Sequence, residues 1–482
     1  MNTFHISRWK TAVLAVACLS LTIFAAEPVI SPSNQAAALS APAAVSNGLK
    51  VSANRRYLMD AVTGRPVFIL ADTAWNLGAL KLEEIDTYLQ SRADHGFNTV
   101  MFALNFAPQA EEKNAFGEPA YMGAEHNELN PAYFATCDQI IQHAADRGLY
   151  VMLYALWGMD KNGTMRSYSP AQLSQMGLAL GKRYAGVPNV ILCVGGETAG
   201  PRGEDKVRAE ALGQALKEGC GGRNLVTIHP EAGYSGARFF AKSGWLDFSM
   251  IQAKSSCKPE SVAYDAAALV LRDWATSPVM PTMMAEHRYE VGTDEDPLIQ
   301  RRSLYQCVFA GGGGYAYGHN ALWQMTPHTA QRWMLRSWAP GVKSWPEALD
   351  TPAVRQLHHI QALLLTRPYF ERIPDQSLVL AGQGTDVATR IQATRDGTPE
   401  GKDATYLMAY LSAPAPVTLN TAVISSRTLN AYWFSPETGR REVIREQFSN
   451  AETLTLEARS QGQDWVVVVE DGSRNGERLG KD

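Results

Sequence analysis

Eight short, almost unbroken apolar runs recur along the first two-thirds of this chain, and a stretch of helical periodicity follows each. The runs are Val67–Asp72, Thr99–Asn105, Tyr150–Leu156, Asn189–Val194, Leu225–Ile228, Phe248–Gln252, Val279–Met284 and Gly314–Gly318. A strand that is apolar on alternate and intervening residues alike needs cover on both faces, which only a parallel sheet wrapped in helices supplies. With eight such units the economical closure is a (β/α)8 TIM barrel. An open doubly wound sheet would carry a glycine fingerprint after its first strand, and Leu70-Ala71-Asp72-Thr73-Ala74-Trp75 has none.

The helices are punctuated as helices should be. Asn130-Pro131 opens one that Gly148 closes, Ser169-Pro170 opens another, and a Thr293-x-x-Asp296 cap predicts a helix over Thr293–Ala310. From about residue 375 the pattern changes to short β runs: Val387–Thr394, Thr405–Leu411, Val417–Leu419, Thr428–Phe434, Glu452–Leu456 and Trp465–Val469. Ser435-Pro436-Glu437-Thr438-Gly439 reads as a turn between two of them. These runs predict a small antiparallel β-sandwich over 375–475, behind a barrel over 51–374.

The N-terminus reads as a targeting segment. Arg8 and Lys10 precede an apolar run, Thr11 to Ala26, which ends in small residues and is too short to span a bilayer. Residues 1–26 are therefore expected to be a signal peptide and 27–50 a linker, with the protein periplasmic or secreted. Lipid attachment at Cys18 is the lesser alternative, because the apolar run continues past it. Export would leave Cys137, Cys193, Cys220, Cys257 and Cys307, an odd and sparse set that makes no disulfide framework. A Cys220–Cys257 pair stays open; no Cys or His spacing suggests zinc, and neither metal nor cofactor is expected.

Charge excludes one class of partner. A formal net charge of −4 offers no basic excess for phosphate neutralisation, so nucleic acid is not expected. Eleven Trp and eighteen Tyr offer many flat apolar faces.

In a barrel, the C-terminal strand ends line one pocket. Reading those ends gives Asp72 and Trp75, Asn105, Trp157, Glu197, His229, Gln252, Glu286 with Tyr289, then His319, Asn320 and Trp323. Acids, amides, imidazoles and tryptophans without a metal cluster suit a sugar: acids for the chemistry, amides and His for hydroxyls, Trp for the ring face. Glycosidic cleavage needs two carboxyl groups flanking the anomeric carbon. Glu197, ending strand four, is the expected acid/base, and Glu286, ending strand seven, the expected nucleophile. Blander roles compete: Glu197 as a helix cap or partner of Arg202, Glu286 as a partner of Arg288 or Arg302, Asp72 as a helix cap. Glu290 is the substitute nucleophile. Gly311-Gly312-Gly313-Gly314 lacks the Lys of a phosphate loop and reads as close packing at the entrance to the last strand.

With these residues the chain resembles the apiosidase-like glycoside hydrolases related to family 140. The resemblance is carried by Phe68–Trp75, Gly96-Phe97-Asn98-Thr99-Val100, Pro188–Ile191 with Gly195-Gly196-Glu197, Glu286 with Tyr289-Glu290, and Tyr317-Gly318-His319-Asn320 with Trp323. The tail, with Ala431–Gly439 and Asp464-Trp465-Val466, resembles the collagen-binding-type β module that follows such barrels. It implies an exported hydrolase removing a sugar from plant or microbial polysaccharide, with an oligo- or polysaccharide substrate and no stable membrane insertion. Two departures stand out: Glu197 where the family has Asp, and Gln252-Ala253-Lys254-Ser255 without the family's His. One extra methylene moves a carboxyl by about 1.5 Å, so the sugar is not carried over. A non-catalytic carbohydrate-binding or adhesion protein on an inactive barrel is the alternative, and a polysaccharide lyase a third.

Overall fold

The computed structural model describes residues 47–104, 113–158, 164–198, 203–254, 264–325 and 344–473. The eight apolar runs form eight parallel strands: β1 Ile69–Thr73, β2 Thr99–Ala103, β3 Tyr150–Trp157, β4 Val190–Gly196, β5 Val226–Thr227, β6 Ser249–Gln252, β7 Thr282–Glu286 and β8 Gly314–Tyr317. Parallel pairing runs β5-β4-β3-β2-β1-β8-β7-β6. The sheet curls until its ends meet. The Asp247 N–H donates to the Val226 carbonyl at 2.9 Å, and the Thr227 hydroxyl donates to the Phe248 carbonyl at 2.8 Å, so β5 meets the chain entering β6. The protein is a (β/α)8 barrel.

Alternation along each strand divides two cores. Ile69, Ala71, Met101, Met152, Ile191 and Met283 fill the barrel interior. Leu70, Val100, Val151, Leu192, Ile251 and Met284 face the helices outside. A hairpin, Leu58–Asp60 with Pro66–Val67, pairs with Leu49–Val51 and places Leu49 and Leu58 in the interior core. The first described strand thus starts at Leu49, inside the stretch expected to be linker.

Among the outer helices are Leu82–Asp94 (α1), Pro131–Asp146 (α2) and Pro170–Arg183 (α3), the last two beginning where their caps predict. The Asn130 side chain accepts from Ala132 N, and Ser169 forms a reciprocal capping box with Gln172. Next come Glu204–Gly219 (α4), the short Gly236–Phe240 (α5) and Ala266–Trp274 (α6). The helix α7 spans Asp296–Phe309, three residues shorter at its start than expected. Asp296 makes the backbone half of the expected cap, its Oδ2 accepting from Thr293 N at 2.8 Å. The same oxygen also accepts from the N–H groups of Val291 and Gly292 at 2.9 and 2.8 Å, which holds 291–293 in a loop ahead of the helix. In the glycine run, a Cβ on Gly311 would fall 2.5 Å from the Trp274 ring, so close packing is its role.

The C-terminal module has a six-stranded and a three-stranded antiparallel sheet. Val417, Leu419 and Leu454 of the small sheet share a core with Ala409, Ala431 and Val467 of the large one, giving a sandwich. The large sheet's other face joins the barrel's outer core through Tyr406, Met408, Tyr410 and Tyr432. Tyr410 stacks on Tyr305 of α7 with ring centroids 5.1 Å apart, and Arg301 of the same helix pairs with Asp464 at 2.7 Å, both buried. Three strands escape the sequence reading: the short Ile373–Pro374 and Val379–Ala381, and Arg441–Ser449, which is exposed along most of its length and pairs with Thr428–Phe434 at the sheet edge. Cys220 is a buried free thiol, and its suggested partner Cys257 lies outside the described residues, as do Asn105 and Arg202.

Candidate active site

The strand ends place most of the predicted residues in one hollow. Glu286 ends β7 and is 2% exposed. Strict alternation from Met283 and Ala285, both interior, would turn Glu286 outward. The pairing of β6 with β7 slips by one residue just before Gln252 meets Glu286. That bulge re-aims the carboxylate into the barrel, where its Oε2 stands 3.5 Å from Nε2 of His229. Glu197 follows β4 with a φ of +43°, a left-handed backbone that non-glycine residues rarely adopt. Gln252 links the two acids. Beside Glu286 in register, it donates from its amide nitrogen to Oε1 of Glu197 at 3.3 Å.

His229 is wholly buried after β5, and burial pushes its pKa down to about 3, so the imidazole is neutral. Nδ1 of this ring lies 3.2 Å from the hydroxyl of Tyr154. Thr198 fixes the backbone beside it, its amide and hydroxyl both donating to the His229 carbonyl.

Aromatic rings make the wall. Trp75 lies 4.8 Å from Trp157 and 5.0 Å from Tyr154 between centroids, and its indole N–H donates to the Tyr289 hydroxyl at 3.0 Å. The wall needs Gly196: a Cβ there would fall 2.1 Å from the Trp157 ring, so only glycine lets the indole lie against the strand that carries Glu197. Trp323 belongs to the same interior cluster.

His319 and Asn320 sit at the rim in structural contacts. His319 Nδ1 accepts from Ala321 N at 3.0 Å, capping the short helix Asn320–Gln324 (α8), and Asn320 Oδ1 accepts from the Trp323 indole at 3.2 Å.

Asp72 is a correction. It occupies an outward position of β1, fully buried, with Oδ2 taking Arg92 at 2.9 Å and the Tyr88 hydroxyl at 2.9 Å. It holds α1 to the barrel and does not line the hollow. Glu290 also points away: Tyr317 and Thr351 donate to its Oε2 at 2.5 and 2.9 Å, and burial lifts its pKa to about 7. Arg288 faces Asp296 at 3.6 Å, and Arg302 donates to the Ser412 carbonyl of the module.

Tyr154 was missed because only strand ends were read. The alternation Tyr150, Met152, Tyr154 on β3 marks it as interior, and a phenol at that depth requires a polar partner.

A closed (β/α)8 barrel whose mouth gathers two glutamates, an amide bonded to one of them and an aromatic wall is built as glycoside hydrolases are. Solved structures agree: a family 5 glycoside hydrolase from Bacteroides vulgatus is 27% identical with a TM-score of 0.79, over 89% of this chain and 94% of that one. A second structure, described as a glycoside hydrolase, is 28% identical with a TM-score of 0.79, over 90% of this chain and all of the other. The family itself is fixed by residues 52–371, which match the apiosidase-like catalytic domain, and the chain belongs to that family. Residues 373–470 match the family described as "Putative collagen-binding domain of a collagenase". No protein of curated function matches the sequence.

Proposed function

We propose that this glycosidase is exported and cleaves an oligo- or polysaccharide by a retaining double displacement, with Glu286 as nucleophile and Glu197 as acid/base. The observation that carries this is the inward turn of Glu286 at the β6–β7 bulge, beside a glutamine whose amide reaches Glu197. Glu197 gives its proton to the glycosidic oxygen as the C–O bond breaks, and the Glu286 carboxylate closes on the anomeric carbon. Water then attacks that carbon, Glu197 takes the water's proton, and the bond to Glu286 opens with configuration retained. Neutral His229, with Nδ1 engaged by Tyr154, presents Nε2 toward Glu286 and orients the carboxylate without neutralising it. The Trp75–Trp157 wall offers apolar faces to the sugar ring. The β module braces the barrel: its interface carries a shared apolar core and a buried ion pair.

The test is a panel of aryl glycosides and polysaccharides, followed by proton NMR of the first-formed anomer. Glu286→Gln and Glu197→Gln should each lose at least 10³-fold in kcat while circular dichroism is unchanged, as when a group acting only in the transition state is removed. Near-normal turnover by either variant removes that residue from its role, and an inverted product removes the double displacement. Export is tested by the mass of the mature chain in the cell envelope or medium.

A further inference from the structure

Tyr264 is 44% exposed, unusual for an aromatic residue this close to the strand ends of a barrel. It is not a loose surface residue, since three anchors hold it. Its backbone N–H donates to the Ala253 carbonyl at 2.8 Å, one residue past Gln252. Its ring lies on Gly233, where an added Cβ would meet Cζ, Cε1 and Cε2 at 2.7–2.9 Å. The nearest atoms are ring carbons and not the hydroxyl, so a face of the phenol covers the glycine while the residue as a whole stays 44% exposed. Gly233 is itself fixed, donating from its N–H to the Gln252 carbonyl at 2.8 Å.

The third anchor comes from the C-terminal module. The next residue, Asp265, caps α6 by accepting from Ala268 N at 3.1 Å, and both its oxygens take the guanidinium of Arg390, Nη1 donating to Oδ1 at 2.8 Å and Nη2 to Oδ2. Arg390 directly precedes the strand Ile391–Arg395 of the large sheet. Backbone, glycine bed and inter-domain fork together give an exposed ring a single placement, which a solvent-facing tyrosine with no ligand would not need.

The sector is chemically specific. Tyr264 joins the end of β6 to the loop that follows β5, and the Gln252 amide in that sector touches Glu197. On the assignment of Glu197 as acid, which this inference rests on, the leaving group departs on that side. We propose that Tyr264 is a stacking platform for the sugar ring on the leaving-group side, and that the module's Arg390 positions it. The ligand class is a glycan whose leaving unit is a ring with an apolar C–H face, not a small alcohol.

The experiment compares leaving groups on whichever sugar the wild-type enzyme cleaves. The glycosyl fluoride has no leaving ring to stack, while the matching methylumbelliferyl glycoside and disaccharide do. Tyr264→Ala should lose about 3- to 10-fold in kcat/KM on the two ring-bearing substrates, the size of one aromatic stack, chiefly through KM, and be unchanged on the fluoride. Tyr264→Phe should match wild type on all three, and Arg390→Ala should share the selective loss of Tyr264→Ala. An equal loss on all substrates, or none on any, overturns the platform; wild-type selectivity in Arg390→Ala overturns the module's part. Failure of the underlying Glu197 assignment would show separately, as disaccharide turnover surviving in Glu197→Gln.

Discussion

Nε2 of His229 lies 3.5 Å from Oε2 of Glu286, with both side chains shut away from solvent. A neutral imidazole there orients the carboxylate; a charged one would pair with it and blunt its attack. His229→Ala is therefore expected to lower kcat about 10²-fold, the size of one preorganised dipole lost beside the reacting group, with a smaller change in KM. The pH dependence has a fixed sign. The folded pKa of about 3 lies below the ordinary 6.5, so this group's contribution to stability is full above pH 6.5 and is lost as pH falls toward 3. Urea midpoints between pH 4 and 7 should slope less in His229→Ala than in wild type.

Glu290 tests a different part of the site. Its carboxyl faces Tyr317 and Thr351, away from the hollow, so Glu290→Gln should keep at least about half of kcat, since surface and supporting polar changes of this kind act chiefly on stability. Its raised pKa predicts the opposite slope to that of His229. The contribution is full below pH 4.5 and lost as pH rises through about 7, a loss of about 3 kcal/mol from the size of the shift. Melting temperatures from pH 5 to 8.5 should fall in wild type and stay flatter in Glu290→Gln. A collapse of kcat in this variant would return Glu290 to candidacy as nucleophile.

Which of these residues could be read from the sequence depends on what one strand shows of its neighbours. The eight apolar runs disclosed the barrel because burial on both faces leaves a pattern within each strand. Asp72 and Glu286 both end such runs, yet one faces α1 and the other the interior. Parity alone would have put Asp72 outside, and Glu286 too, because the bulge that turns it inward belongs to the pairing with β6 and not to its own sequence. The strand Arg441–Ser449 was missed for a related reason. At a sheet edge, largely exposed, it carries no alternation to detect. Helix α7 starts late because Asp296, besides the Thr293 amide that Thr293-x-x-Asp296 foretells, also binds the amides of Val291 and Gly292, which the pattern does not reveal.

Gly196 predicts a steric effect on the wall. A methyl at this position would overlap the Trp157 ring, so Gly196→Ala must displace the indole, the strand, or both. Overpacking of this sort costs about 1–3 kcal/mol. The expected outcome is a lower melting temperature together with a kcat/KM loss of more than about 10-fold, given how steeply rates depend on placement at a reacting centre. A variant that loses stability but keeps full kcat/KM would show that Trp157 does not touch the substrate.

The buried Arg301–Asp464 pair tests whether module and barrel are one folding unit. The partners are 163 residues apart in sequence, almost fully buried, and tied by three guanidinium contacts of 2.7–3.1 Å; the Tyr410 hydroxyl adds a fourth bond to Asp464 at 3.0 Å. Removing one charge leaves the other buried without compensation, which costs about 3–5 kcal/mol. Asp464→Asn should therefore lower the urea midpoint sharply and split a single unfolding transition into two, the module's loss preceding the barrel's. Arg301→Met combined with Asp464→Leu removes both charges and should recover much of that loss, because two apolar side chains of similar volume avoid the desolvation cost. If the single variant unfolds at the wild-type midpoint, the interface is a loose contact between independent domains. The module's fork on Asp265 would then have no rigid base from which to hold Tyr264.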